Sequence, residues 1–328
     1  MATNLNRRDL FKLAGLGAAA AVLPACAIDK REASPAVAAA GPTTRKLALR
    51  VAHVTDTHVQ PELASAQGLS TCLAHIQAQP TKPSLIITGG DHVMDSFDAG
   101  DARTAIQWDL FKKTWRDNCN IETVNVIGNH DCWGWNKDRS KTSGAELNWG
   151  KARFLAEIGS PALYRTVDRA GWRFILLDSI FPNGNGYVGQ LDEAQFVWLS
   201  QTLAETPSTT PIVVVSHIPI VTATAMFDGK DETKRDRIIP PGLMHADAKR
   251  IVNLFRKHKN VRLCMSGHMH LNDRIDLHGV SYVCAGAVSG KWWKGANDDC
   301  VEGYTLLDLY DDGMFEYAYV NYGWKAQA

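Results

Sequence analysis

Short apolar runs rich in β-branched residues recur along the chain and alternate with longer stretches of helical periodicity. The run Leu85-Ile86-Ile87 is typical, because it is short and is followed at once by Gly89 and Gly90. The pattern predicts strands at residues 47–55, 84–88, 122–127, 172–178, 211–216, 260–266, 274–277, 280–285 and 304–309. The last strand continues into a predicted hairpin, roughly 304–322, that turns at Asp311-Asp312-Gly313.

Apolar residues at helical spacing predict helices at residues 64–78, 101–116, 146–158, 192–204 and 244–258. In the last of these, Ile251, Leu254 and Phe255 recur at the spacing of one helix face. Strands that alternate with helices, followed by a strand-rich final third, indicate an α/β fold of mixed sheets flanked by helices. Two long connections, at about 132–145 and 221–243, are predicted to be functional or mobile loops.

The composition is that of a globular protein with a sizeable buried core: 328 residues, 45% apolar and 21% charged. Lys and Arg total 35, as do Asp and Glu, so the formal net charge is zero. No basic stripe predicts binding to a nucleic acid polymer, and no acidic tail predicts a charged partner. Affinity for an anion must therefore come from a local site.

The first 27 residues resemble a twin-arginine export signal, with Arg7-Arg8 before an apolar run too short for a good membrane-spanning helix. Residues 28–46 have the composition of a flexible linker. Cys26 lies in a sequence like a lipoprotein box, although Ala25-Cys26-Ala27 also suits ordinary cleavage, and an N-terminal helix of the fold is the remaining alternative. We expect an exported bacterial protein, periplasmic or lipid-anchored at the membrane surface, and the sequence leaves its oligomeric state open.

Six cysteines remain if Cys26 is lipidated or removed. In an oxidising compartment they could pair, but their connectivity does not follow from the sequence. No CxxC motif is present, so neither a thiolate zinc site nor a redox pair is indicated. Cys264 and Cys284 lie in apolar, strand-like runs and are predicted to fill the core.

Five of the predicted strands stop at residues that can bind a metal ion. In chain order these residues are Asp56, His58, Asp91, Asn129, His217, His268 and His270. Because functional groups gather beyond the carboxyl ends of strands in open sheets, we expect these side chains to converge. Side chains two apart share a face in an extended chain, so each pair, Asp56 with His58 and His268 with His270, is predicted to reach one locus.

The donors are imidazoles, carboxylates and one amide, which suit a divalent transition metal such as Fe, Mn, Zn or Co. Seven donors are too many for one ion, so we predict two divalent ions with a carboxylate such as Asp91 between them. The two ions bring more positive charge than Asp56 and Asp91 neutralise. The remaining charge attracts an anion and lowers the pKa of bound water, as attack on phosphorus requires.

The order of these motifs resembles that of the calcineurin-like metallophosphoesterase family over about residues 48–287. The family pattern stands here as Asp56-Thr57-His58, Gly90-Asp91, Gly128-Asn129-His130-Asp131, His217 and Gly267-His268-Met269-His270. The resemblance implies a four-layer αββα sandwich of two mixed β-sheets flanked by helices, over residues 47–328, with a dinuclear metal site at the carboxyl ends of the strands. One departure is His92 after Asp91, where an apolar residue is more usual.

The resemblance also implies a role for each site residue. One ion would be held by Asp56, His58, Asp91 and His270, and the other by Asp91, Asn129, His217 and His268. His130 would donate a proton to the leaving alkoxide or stabilise charge on the phosphoryl group, and Asp131 would orient His130.

The function implied by the resemblance is hydrolysis of a small phosphate ester by a hydroxide that bridges the two ions. A phosphodiesterase of the cyclic-nucleotide or glycerophosphodiester type is the favoured hypothesis, and a phosphomonoesterase or nucleotidase is the alternative. A phosphoesterase-like binding protein without catalysis is an alternative of another class. It would require at least one missing ligand, and none is missing here.

Residues near the motifs carry further predictions. Trp133, Trp135 and the cluster 291–294 are candidates for the walls of a substrate pocket, with core filling as the alternative. His92 is either a residue behind the site or a turn residue. A basic loop is predicted to be a solvated face rather than a phosphate clamp; it contains Lys230, Lys234, Arg235 and Arg237.

Overall fold

The computed structural model describes residues 45–227 and 238–327. The predicted export signal at 1–27 and the linker up to residue 44 lie outside the described residues, as does the basic loop of Lys230, Lys234, Arg235 and Arg237. Within the described ranges, no helix is both long enough and apolar enough to cross a membrane.

The described residues form thirteen strands and six α-helices. The strands are β1 (Leu47–Val54), β2 (Leu85–Thr88), β3 (Glu122–Asn125), β4 (Arg165–Arg169), β5 (Trp172–Leu176), β6 (Ile180–Asn183), β7 (Gly186–Gly189), β8 (Ile212–Val215), β9 (Val261–Ser266), β10 (Asp273–Leu277), β11 (Val280–Cys284), β12 (Gly303–Tyr310) and β13 (Phe315–Asn321). The helices are α1 (Ser65–Gln77), α2 (Asp101–Asn118), α3 (Lys137–Ser140), α4 (Lys151–Ile158), α5 (Glu193–Glu205) and α6 (Ala248–Phe255).

Two large mixed sheets and a small hairpin contain all the strands. The first sheet has the order β13-β12-β1-β2-β3, in which β1, β2 and β3 run parallel and β12 and β13 antiparallel to their neighbours. The second has the order β10-β11-β9-β8-β5-β4, with parallel strands in the middle and an antiparallel strand at each edge. β6 and β7 pair only with each other. The parallel strands of both sheets bring several carboxyl ends to one region.

The side chains of the two sheets alternate between an inner and an outer face, which gives four layers. Val51 of β1 and Phe174 of β5 are fully buried in the apolar core between the sheets. Ala52 and Val54 of β1 point to the other face, into a core shared with α1 and α2. The opposite face of the second sheet packs on α5 and α6. The predicted αββα sandwich of two mixed sheets is therefore confirmed.

Several boundaries differ from the prediction for local reasons. The helix predicted at 146–158 begins only at Lys151, because Gly150 has a φ of 68° and ends the preceding loop. The helix predicted at 244–258 is limited to Ala248–Phe255. The pattern missed β4, β6 and β7, which have four or five residues each and at most one buried residue, and therefore lack the apolar signal of a buried strand.

All six described cysteines are free thiols in this fold. Cys264 packs in the core under α5 and α6, and Cys284 is completely buried, as predicted for both. The predicted turn of the last hairpin is also confirmed, since Gly313 joins β12 and β13 with a φ of 77°.

Candidate metal centre

The seven predicted ligands follow five strands that belong to both sheets. Asp56, Asp91 and Asn129 come after β1, β2 and β3 of the first sheet, whereas His217 and His268 come after β8 and β9 of the second. Six of the seven are buried, and His268 is half-buried. The site therefore lies where the carboxyl ends of the two sheets meet.

One group of donors consists of Asp56, His58 and His270. The Nε2 atoms of the two imidazoles are 3.1 Å apart. Asp56 Oδ1 lies 3.2 Å from Nε2 of His270 and 3.8 Å from Nε2 of His58. Two donors that are neighbours in the chain thus meet a third, His270, that lies more than 200 residues away in the sequence.

A second group consists of Asp91, His217 and His268. Asp91 Oδ2 lies 3.2 Å from Nε2 of His217, and the amide oxygen of Asn129 lies 3.0 Å from the same nitrogen. The Nε2 atom of His268 is buried and has no hydrogen-bond partner among the described residues. This nitrogen is an orphaned donor atom of the kind that a metal ion would satisfy.

Asp91 links the two groups. Its Oδ2 atom is 3.2 Å from His217 on one side and 3.6 Å from Nε2 of His58 on the other. A carboxylate oxygen in that position can contribute to two cations at once, as the sequence predicts for Asp91.

Backbone carbonyls orient two of the imidazoles. His217 donates from Nδ1 to the carbonyl oxygen of Gly89 at 2.8 Å, and His270 donates from Nδ1 to that of Gly290 at 2.5 Å. Each bond fixes the tautomer of the neutral ring, because a proton held on Nδ1 leaves Nε2 with its lone pair. In both rings it is Nε2 that faces the other donors.

Five of the seven ligands have left-handed backbone conformations. The φ angles are 56° at Asp56, 42° at His58, 53° at Asp91, 71° at His268 and 55° at His270. Such conformations are unfavourable by about 1–3 kcal/mol each for residues other than glycine and cluster at functional sites. Asp56 and His58 do reach one donor group, as predicted, whereas His268 and His270 belong to different groups. The predicted extended chain is wrong for both pairs, because left-handed turns beyond the strand ends aim these side chains.

Two motif glycines are required by close contact. A Cβ atom at Gly128 would lie 2.1 Å from Oδ1 of Asp91, and one at Gly267 would lie 2.3 Å from Oδ2 of Asp56. Any larger residue would push a metal-binding carboxylate out of place.

Burial and charge set the protonation of the donors. Burial raises the pKa of Asp91, but the neighbouring His217 and His130 outweigh this effect and hold that pKa well below its usual range. Burial would lower the pKa of His217, yet the charge of Asp91 raises it to about 9. Burial lowers the pKa of His58 to about 4 and that of His268 to about 3. At neutral pH the last two imidazoles are unprotonated ligands, whereas His217 must release a proton to bind a cation.

The structure does not support the predicted role of Asp131 as the partner of His130. The carboxylate of Asp131 accepts hydrogen bonds from His92 Nδ1 at 2.9 Å and from the backbone N–H groups of Asp91, His92 and Gly128. Nδ1 of His130 is buried and has no partner among the described residues. The short turn Asn129–Asp131 explains this arrangement, because it directs His130 and Asp131 to opposite sides.

His130 lies at the edge of the donor groups. Its side chain is 26% exposed, and its Nε2 atom lies 4.0 Å from Oδ2 of Asp91. It also falls within a donor group with His58 and Asp91. A half-buried imidazole beside the donors, with access to the pocket, can exchange a proton with a bound molecule.

A cavity of about 270 Å³ opens above the donors. His58, Asp91, Asn129, His130, His268 and His270 line its floor, and Tyr187, Leu243, Met269, Trp292 and Asn297 line its walls. Trp292 lies 5.0 Å from His270 and Tyr187 lies 6.0 Å from His268, measured between ring centroids. The two aromatic walls thus stand beside different donor groups.

Of the tryptophans proposed as pocket walls, only Trp292 contributes. Trp133 and Trp135 are buried in the fold, and Trp293 is fully buried beneath the site, where its Nε1 donates to the carbonyl of His58. The sequence does not predict Tyr187 as a lining residue, because β6 and β7 give no strand signal and the residue is distant from every motif.

The donor set fits a dinuclear centre of borderline transition metals. Neutral imidazoles and carboxylates converge in two groups, a carboxylate lies between them, and backbone carbonyls orient two of the imidazoles. No thiolate takes part.

The family model that matches residues 49–272 is that of the calcineurin-like phosphoesterases. The chain belongs to this family. Members rely on a dinuclear metal centre, and every ligand position of the motif is filled in this chain. The chain is accordingly a phosphoester hydrolase, and the complete ligand set gives no support to the alternative of a binding protein without catalysis.

Known relatives are similar over most of their length. A 3′,5′-cyclic-nucleotide phosphodiesterase of Nostoc sp. is 21% identical over 82% of this chain and 91% of its own length. A probable glycerophosphodiester phosphodiesterase of Arcobacter nitrofigilis is 24% identical over 67% of this chain and 71% of its own. Among solved structures, a dimetal phosphatase from Danio rerio superposes with a TM-score of 0.53 at 14% identity, over 81% of this chain and 94% of its own, which supports the fold.

Asp91→Ala is expected to weaken both metal sites, because one carboxylate contributes to both donor groups. Asp56→Ala removes a donor from one group only and should leave part of the metal bound. Metal analysis after gel filtration in Mn²⁺ would measure the number of ions per chain. Asp178→Asn is the control, since this buried carboxylate pairs with Lys151 and belongs to neither donor group. Full occupancy in Asp91→Ala would contradict the bridging position.

Proposed function

We propose that the protein is a metal-dependent phosphodiesterase that acts on a small diester of the cyclic-nucleotide or glycerophosphodiester type. The curated relatives named above, a cyclic-nucleotide phosphodiesterase and a probable glycerophosphodiester phosphodiesterase, support this class. The charge of the pocket supports it independently.

The observation that carries the proposal is the absence of Lys and Arg from the described residues that line the cavity. A phosphodiester carries one negative charge near neutral pH, whereas a phosphomonoester carries nearly two and is commonly held by Arg or Lys. A pocket whose described lining residues include neither Lys nor Arg suits the singly charged ester better.

The walls of the cavity suit an uncharged group on the ester. Trp292 and Tyr187 present aromatic surface on two sides, and Leu243 and Met269 add apolar surface. Aromatic faces can stack on a nucleobase or cover an apolar leaving group. We infer that these residues bind the alcohol part of the diester while the donor groups take the phosphate.

The chain's own residues orient and protonate the ester. Two divalent ions (Fe, Mn, Zn or Co) held by the two donor groups would polarise the phosphoryl group and supply an activated water at neutral pH. His130 lies at the mouth of the donor groups and is placed to donate a proton to the departing alkoxide. The carbonyls of Gly89 and Gly290 keep the ligating imidazoles fixed, so little reorganisation is needed during the reaction.

Comparison of bis-p-nitrophenyl phosphate with p-nitrophenyl phosphate tests the proposed preference. With added Mn²⁺, kcat/KM for the diester is expected to be at least about tenfold higher, which corresponds to about 1.4 kcal/mol in transition-state binding. A parallel assay in a chelator should show no turnover. A strong preference for the monoester would instead favour a phosphomonoesterase or nucleotidase.

His130→Ala is expected to lower kcat by roughly 10²–10⁴-fold, because the leaving alkoxide loses its proton donor. The ions should be retained, since the two principal donor groups are complete without His130. His258→Ala, a change of a histidine far from the cavity, should leave kcat unaltered. Loss of metal in His130→Ala would show that the residue acts as a ligand instead.

We also propose that the protein is exported by the twin-arginine route, on the strength of Arg7 and Arg8 and the apolar run after them. Replacement of both arginines by lysine is expected to trap the precursor in the cytoplasm, as cell fractionation would detect. A Cys26→Ala variant separates lipid attachment from export, because only a lipoprotein would then move from the membrane to the soluble periplasmic fraction. Export that persists in the double lysine variant would refute the proposed route.

A further inference from the structure

The carboxylate of Asp131 is completely buried, and it accepts hydrogen bonds from the loop after β2 and from its own loop after β3. Its Oδ2 atom accepts from the N–H of Gly128 at 2.8 Å, from the N–H of Asp91 at 3.1 Å and from Nδ1 of His92 at 2.9 Å. Its Oδ1 atom accepts from the N–H of His92 at 2.9 Å. Four hydrogen bonds therefore fix one buried charge behind the metal ligands.

The same two loops are also joined in the opposite direction. The N–H of His130 donates to Oδ1 of Asp91 at 2.8 Å. The carboxylate of Asp91 thus accepts a hydrogen bond from the loop after β3, and the backbone N–H of Asp91 donates one to Asp131 in that loop. Because the backbone at Asp91 is left-handed, with a φ of 53°, surrounding bonds are needed to hold it there.

His92 completes this arrangement from behind. Because a carboxylate only accepts hydrogen bonds, Nδ1 of His92 carries the proton that it shares with Asp131. Its Nε2 atom lies 2.8 Å from the hydroxyl of Thr88 at the end of β2. The ring is buried among three aromatic side chains, Trp108, Phe111 and Phe154, at centroid distances of 5.1–5.7 Å. An imidazole in such an apolar enclosure is unfavourable unless its polar atoms are paired, as these are.

We propose that His92 and Asp131 are positioning residues, which hold the carboxylate of Asp91 between the two donor groups and thereby set the affinity of both metal ions. Neither residue is among the pocket-lining residues, so neither is assigned a part in the chemical step. The inference rests on the proposed function only in that metal ions bind; it does not depend on which ester is hydrolysed.

Two substitutions at His92 separate positioning from packing. His92→Phe keeps the aromatic packing but removes the donor to Asp131, so this variant should remain stable yet bind metal about tenfold or more weakly at both sites. His92→Asn keeps an N–H donor near the position of Nδ1 but leaves a cavity in the aromatic enclosure, so this variant should be less stable yet bind metal nearly as well as the wild type.

Calorimetric titration of the metal-free protein with Mn²⁺ measures affinity, and urea denaturation of the same samples measures stability. The proposal requires opposite orders in the two measurements. His92→Phe should be the more stable variant, and His92→Asn should bind Mn²⁺ more tightly. Affinity that simply follows stability, or unchanged affinity in His92→Phe, would overturn it, as would loss at one site only. If His92→Phe does not fold, His92→Asn decides alone: near wild-type affinity supports the proposal, and a tenfold loss refutes it.

Because the titration uses Mn²⁺ without substrate, its outcome is independent of the diester preference. A protein that prefers monoesters would contradict the proposed substrate class and leave the positioning role intact. Asp131→Asn offers a second measurement on the same contacts. The amide NH2 of asparagine would face backbone N–H donors, so metal affinity should fall in this variant as well. If Asp131 served only to orient His130, as the motif implies, metal affinity would be unchanged.

Discussion

The buried carboxylate of Asp91 is the constraint on which the centre depends, because it must face donors from both sheets at once. It lies 3.2 Å from an imidazole that follows β8 and 3.6 Å from one that follows β1. Buried charges are tolerated only when they are paired or coordinate metals. The surrounding histidines and the backbone N–H of His130 satisfy Asp91 in part, and a pair of cations would satisfy it fully. The remainder of the site can be understood as the framework that keeps this oxygen in place.

That framework is rigid for reasons that lie in the core. Val51 and Phe174, from opposite sheets, are fully buried in the layer between them, so the separation of the sheets is set by close packing. Left-handed conformations at the ligands are unfavourable locally, and they persist because the strands on either side over-determine them. Gly128 and Gly267 leave the room in which Asp91 and Asp56 can approach the backbone.

The sequence predicts which donor side chains converge, since each follows a predicted strand and the motifs carry their own chemistry. The sequence does not predict contacts between residues that are distant in the chain and meet only in the folded protein. Asp131 meets His92 although 39 positions separate them, and neither motif spacing nor periodicity encodes that contact. Proximity to the GNHD motif predicts Trp133 and Trp135 as pocket walls, yet the chain buries Trp133 and brings Tyr187 to the cavity from the β6–β7 hairpin. Local pattern thus predicts which donor groups come together, and tertiary packing decides which side chains line the cavity above them.

Because the donors come from both sheets, metal binding and the packing of the sandwich are coupled. Asp91 and His217 follow strands of different sheets, so an ion held by both would join the loop after β2 to the loop after β8, and its binding free energy would also oppose separation of the two sheets. The coupling acts in the other direction as well: a change in the core that shifts one sheet against the other alters the distances between these donors. Hence the metal affinity of the centre depends on the packing of the whole fold. The contacts of Asp131 and His92 hold the loops after β2 and β3, which lie outside the core between the sheets.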